Sequence, residues 1–163
     1  PGIDMTAGSL GQGISCAVGM AVAAKVMKMD NYIYTIVGDG ESQEGQVWEA
    51  GMYAAQKKLD NLIAFTDNNK MQISGNTDDV CSICPLDEKW EAFGFYVQSV
   101  DGHDVEAISK AIDNAKANKG KPSMIILVTV KGKGVKVFED AGFANHSMAV
   151  TADDVAAANE QLK

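Results

Sequence analysis

The sequence has 163 residues, 46% of them apolar and 22% charged, with a formal net charge of −8. That length holds one domain with a buried core, and the composition is that of an ordinary globular chain. The acidic balance and the lack of a Lys/Arg-rich stripe argue against nucleic acid as a partner.

Taken in chain order, Leu10 to Met29 is predicted as a helix, opened by the turn "TAGS" with Ser9 as N-cap. Its most apolar stretch, Ile14 to Ala24, is too short to span a bilayer, so no membrane association is expected. The opening "PGIDMTAG" has no secretory character, and its lack of an initial Met suggests a trimmed or partial chain. Three cysteines cannot all pair, which fits a reducing cytoplasm. Asn31 to Val37 reads as a buried strand. Gln46 to Lys58 reads as a helix with Trp48, Met52 and Ala55 on one face, more as core than as ligand contacts. Leu62 to Thr66 is a short apolar strand, and residues 67 to 86 read as polar and irregular. Asp87 to Phe93 is a short helix, Tyr96 to Val100 a strand, and Val105 to Asn118 a helix. Ser123 to Val130 is a long buried strand, and Thr151 to Leu162 a last helix capped by Thr151 or Asp153.

Helices alternating with strands that are apolar on both faces predict an α/β domain: a parallel sheet flanked by helices on both faces. Such sheets bind ligands at the carboxyl ends of their strands. Three loops are expected at or near that edge: "TAGSLGQG" at 6–13, "GDGE" at 38–41 and "DNNKMQISG" at 67–75. A phosphate P-loop is excluded, because Gln46 stands where the pattern from Gly40 to Gly45 requires Lys. A dinucleotide fingerprint also fails. Cys16 takes the third glycine place after Gly11 and Gly13, and no clear strand precedes them.

A hard cation suits these loops. Asp39 offers a carboxylate, Asn68 or Asn69 an amide oxygen, and a main-chain carbonyl just beyond a third oxygen. Mg²⁺ accepts a few protein oxygens and completes its shell with water and phosphates. Gly40 would let the backbone approach a phosphate at a helix N-terminus. The competing reading is that Asp39 and the asparagines only satisfy turns.

The blocks "TAGSLGQGISCAVGMA", "GDGESQEGQVWEA", "LDNLIAFTDNNKMQISG", "VDGHDVEAI" and "VTVKGKG" resemble, in order, the diphosphate-binding domain of transketolases. Gly38-Asp39-Gly40 with Asn69 resembles the thiamine diphosphate motif, and the nearest likeness is to the N-terminal subunit of split transketolases. The resemblance implies a thiamine diphosphate-binding fold over residues 1–163, as a single and partial domain. It implies that Asp39, Asn69 and the Met71 carbonyl bind Mg²⁺ or Ca²⁺. Gly38, Gly40 and Glu41 would lie at the diphosphate, with Gly40 touching it through its backbone. Gly8, Ser9 and Leu10 would run along the cofactor near its thiazolium. Glu44 would join the activating network at a subunit interface, and His146 would stand near diphosphate and substrate, although Ser147 replaces the usual following glycine.

The implied activity is transfer of a two-carbon ketol unit between sugar phosphates. The implied partner is a pyrimidine-binding domain or C-terminal subunit, in a homo- or hetero-oligomer. The 163 residues alone are expected to be inactive, with the loops around Gly8 to Gly13 and from Glu44 to Trp48 left exposed. A deoxyxylulose-phosphate-synthase-like enzyme, another thiamine-dependent lyase or transferase, or a non-catalytic binding module is the alternative. Glu44 could instead be a first-turn carboxylate favoured by the helix dipole, and His146 a surface loop residue. His103 reads as a turn and helix-entry residue with Asp104 as N-cap. Cys81 and Cys84 have redox and zinc spacing but no second ligand pair, and read as incidental.

Overall fold

The computed structural model describes residues 2–163. Its elements in order are α1 (Gln12–Val26), β1 (Ile33–Gly38), α2 (Gly45–Gln56), β2 (Leu62–Asn68), β3 (Met71–Gln72), β4 (Gly75–Asn76), α3 (Thr77–Cys81), α4 (Leu86–Ala92), β5 (Tyr96–Asp101), α5 (Val105–Ala117), β6 (Ser123–Val128), α6 (Lys136–Asp140) and α7 (Ala152–Gln161). Single 3₁₀ turns cover Glu41–Gln43 and Gly142–Ser147.

Four strands form one parallel sheet in the order β1-β2-β6-β5. The central strands β2 and β6 carry the uninterrupted apolar runs and are buried on both faces, as parallel pairing requires. One face packs against α1, α2 and α4 through Ile14, Val18, Val47, Leu86 and Trp90. The other packs against α5 through Ile63, Phe65, Ala111, Ala115 and Ile125. Helices therefore lie on both faces, as the sequence predicts.

Several details differ from the sequence reading. β1 is an edge strand and not fully buried: Tyr34 and Ile36 are 47% and 69% exposed. Helix α1 starts two residues later than predicted. Its N-cap is Gly11 at φ 83°, a left-handed conformation open to glycine, while Ser9 makes no capping bond. Met52 is 53% exposed and not core. Trp48 does pack inward, its ring centroid 4.8 Å from Trp90 and 5.4 Å from Phe93, which ties α2 to α4. Residues 67–86 are not irregular throughout: they hold the end of β2, the β3–β4 hairpin and α3. The last strand ends at Val128 rather than Val130, and a turn follows at 131–134.

Two predicted caps are present. Asp104 accepts the N–H groups of Glu106 and Ala107, each at 3.0 Å. Thr151 and Asp154 form a reciprocal capping box at α7. No helix among the described residues is long and apolar enough to cross a membrane.

Candidate functional site

The carboxyl ends of β1 and β2 are paired in register, with Gly38 opposite Asp67. The loops leaving them therefore start side by side. From β1 the chain runs Asp39-Gly40 into the 3₁₀ turn and α2; from β2 it runs Asn69-Lys70 into the hairpin. Hydrogen bonds then lace the loops together. The Asp39 carboxylate accepts the N–H of Gly40 at 2.7 Å and, through Oδ2, the N–H of Lys70. Gln43 Nε2 donates to Gln72 Oε1 at 2.6 Å and to the Cys81 carbonyl at 2.8 Å. Glu41 accepts the N–H of Gly11 at 2.8 Å and of Gly38 at 2.9 Å, which brings in the 6–13 loop.

Asp39 is 1% exposed. Burial pushes its carboxyl above the ordinary carboxylate value; the Gly40 and Lys70 N–H groups pull down, and the nearby Asp67 adds to the rise. None of the ion pairs among the described residues includes Asp39. A buried carboxylate with two N–H partners but no ion-pair partner is the chemistry of a cation ligand. Nearby, Asn68 Oδ1 is buried and has no hydrogen-bond partner among the described residues. Asn69 Oδ1 accepts the Met71 N–H at 3.0 Å, which leaves it a second lone pair, and Asn69 Nδ2 donates to Asp67. Gly40 faces Gln72 so closely that a Cβ there would lie 2.8 Å from Gln72 Cβ. Bare backbone is therefore required where the two loops meet. These carboxylate and amide oxygens fit a hard cation with a phosphate-bearing ligand.

The remaining predicted residues fall as follows. Gly8, Ser9 and Leu10 are exposed beside the site, in the turn before Gly11. Glu44 is exposed and is the N-cap residue of α2, yet its side chain makes no capping bond. A Cβ on Gly11 would lie 3.0 Å from Glu44 Cβ, so Glu44 borders the 6–13 loop. His146 is exposed in the 3₁₀ turn 142–147, which packs against β3. His103 sits before the Asp104 cap and accepts the Val130 N–H at Nε2, 2.8 Å away. Cys81 and Cys84 are exposed, and Cys84 Sγ lies 3.3 Å from Lys70 Nζ.

Sequence reasoning missed Gln43, Gln72 and Asp67. Asp67 accepts from Thr129 Oγ1 and from Asn69, and so fixes the end of β2 to the segment after β6. No local motif marks them, because the ties between Gln43 and Gln72 and between Asp67 and Thr129 join residues far apart in the chain.

The arrangement defines an α/β protein of the open parallel type, with its polar loops gathered at the carboxyl edge of the sheet. The sequence matches, over residues 1–163, the family described as "Transketolase, thiamine diphosphate binding domain". It is 54% identical over 162 residues to the 6-deoxy-6-sulfo-D-fructose transketolase subunit SqwG of Clostridium sp. (strain MSTE9), covering 99% of this chain and 58% of that one. It is 42% identical to an apulose-4-phosphate transketolase subunit of Actinobacillus succinogenes, covering all of this chain and 58% of that one. The solved transketolase of Pichia stipitis in complex with sedoheptulose-7-phosphate superposes with a TM-score of 0.90 at 34% identity, over 99% of this chain and 25% of that one. The chain belongs to the transketolase family and carries its thiamine diphosphate-binding domain. It spans little more than half the length of these two related subunits.

Proposed function

We propose that the chain is the thiamine diphosphate- and Mg²⁺-binding half of a transketolase that moves a two-carbon ketol unit between sugar phosphates. The observation that carries this is Asp39: a buried carboxylate outside every ion pair among the described residues, at the carboxyl edge of the sheet, hydrogen-bonded to the loop that bears Asn69 and Met71. Asp39, Asn69 and the Met71 carbonyl would hold the cation. Gly38 and Gly40 would border the diphosphate, and Gly8, Ser9 and Leu10 would lie along the cofactor. Thiamine diphosphate, when bound, supplies the electron sink for the carbon–carbon chemistry.

The protein's own part is to hold, orient and complete the site. Glu44, exposed and free of a capping bond, is available to a neighbouring subunit. His146, on the segment against β3, would meet the substrate side. The partner is a pyrimidine-binding domain or C-terminal subunit; the relatives named as subunits support a two-chain assembly. Sugar phosphates are the substrate class, and the cytoplasm is the compartment.

The test is a coupled ketol-transfer assay on the chain alone and on the full-length N-terminal subunit mixed with a C-terminal transketolase subunit. Turnover dependent on Mg²⁺ and cofactor is expected only from the pair. Turnover by the 163 residues alone would overturn the half-site reading.

A further inference from the structure

We infer that Glu41 is a positioning residue: it brackets the 6–13 loop to the Gly38-Asp39-Gly40 loop and so sets the width of the cofactor cleft. This rests on the reading of the site as a thiamine diphosphate site. Its two carboxylate oxygens are divided between two backbone donors, Oε1 taking the Gly11 N–H and Oε2 the Gly38 N–H. Gly11 is 30 positions away in sequence, whereas Gly38 is 3 away.

Both donors need such a partner. Alternate residues of a parallel strand donate to one neighbour. Ile33 and Asp39 donate towards β2, to Asn61 and Asp67. The Gly38 N–H therefore points to the open edge of the sheet. Gly11 precedes the first turn of α1, so its N–H lies outside the helix ladder. A carboxylate there is also favoured by the helix dipole. No ion pair among the described residues includes Glu41, so its charge serves the two N–H groups.

The consequence is geometric. Gly8, Ser9 and Leu10 are exposed. The Gly11 bond is the long-range polar tie that joins their turn to the β1 loop. Asp39 and Gln43 make the matching ties on the other side, to Lys70, Gln72 and Cys81. Three side chains spaced two apart, Asp39, Glu41 and Gln43, thus hold the surrounding loops at fixed distances. A carboxylate already shared by two amides acts on the cofactor through loop placement rather than by contact.

Hydrogen exchange by NMR on the cofactor-free chain, together with titration of thiamine diphosphate and Mg²⁺ into the protein reconstituted with its pyrimidine-domain partner, tests the bracket. In Glu41→Gln the exchange of both Gly11 and Gly38 amides should speed up by about tenfold or more, while Ile63 and Ile125 in the core stay protected. Cofactor affinity should fall by about tenfold, because the competent loop spacing is populated less. Glu41→Asp, one methylene shorter, should keep the local Gly38 bond and lose the Gly11 bond. It also serves if the Gln variant does not fold. Protection of Gly11 in both variants, equal loosening of the core, or unchanged affinity despite lost protection would overturn the inference. Reconstituted wild type that binds no cofactor would overturn the underlying reading of the site instead, with the exchange data still deciding the bracket.

Discussion

The carboxylate of Asp39 accepts the backbone N–H of Lys70, 31 residues further on, and Lys70 holds a left-handed φ of 66° to present it. The bond joins the two loops that leave β1 and β2, and it does so from a buried acid that belongs to no ion pair among the described residues. Burial, which outweighs the Gly40 and Lys70 N–H groups, raises the Asp39 pKa above its ordinary 3.8. The sign of the linkage follows. A raised folded-state value gives a contribution to stability that is full below 3.8 and is lost as the pH climbs through the folded value.

In the ligand-free chain, the stability of wild type minus that of Asp39→Asn should therefore decline as the pH rises from about 3.8, and level off once Asp39 is ionised. Urea unfolding at a series of pH values measures it. A difference that grows with pH would show the opposite sign and contradict the burial argument.

Gly40 faces Gln72 at the crossing of the β1 and β2 loops. Gly40→Ala would put a Cβ 2.8 Å from Gln72 Cβ, and a Cβ cannot swing away as a side-chain tip can. The hairpin must shift, at a cost of about 1–3 kcal/mol. Thermal melting should show that loss without ligand. With Mg²⁺ and thiamine diphosphate the gap from wild type should widen, since the shift also opens the site.

Gly51 makes a prediction about the scaffold alone. A Cβ there would lie 2.7 Å from Trp90 Cζ3, at the contact of α2 with α4. Gly51→Ala gains helix propensity of about 1 kcal/mol but overpacks the aromatic cluster, and the clash should win by about 1–2 kcal/mol. Denaturant melts should show a lower midpoint at an unchanged slope, and tryptophan fluorescence should report altered packing around Trp48 and Trp90.

The sequence was most legible where one strand or helix carries its own signal. The runs at Leu62 and Ser123 are apolar on both faces because β2 and β6 are central, and that pattern marks them as strands of a covered parallel sheet. The same logic misreads β1, whose Tyr34 and Ile36 look like core residues but lie exposed on an edge strand. Helix α3 and the β3–β4 hairpin are too short to show a period, so 67–86 reads as irregular. At the site, Asp39, Gly40 and Asn69 stand out by motif. The ties from Glu41 to Gly11 and from Gln43 to Cys81 join residues 30 and 38 positions apart. Only the folded chain reveals such pairs, because no local spacing links residues so far apart.

The most direct test of the site is calorimetric titration of thiamine diphosphate with Mg²⁺ into the protein reconstituted with its pyrimidine-domain partner, comparing wild type, Asn69→Ala and Asp39→Ala. Asp39 is the one charged ligand in the proposed set, and a charge-assisted contact contributes about 1.5–3 kcal/mol. Asp39→Ala should therefore lose affinity by about 100-fold, and Asn69→Ala, which removes a neutral oxygen, by about tenfold. Omitting Mg²⁺ should erase the difference between Asp39→Ala and wild type. Undiminished Mg²⁺-dependent binding in Asp39→Ala would contradict the assignment of the cation to this loop.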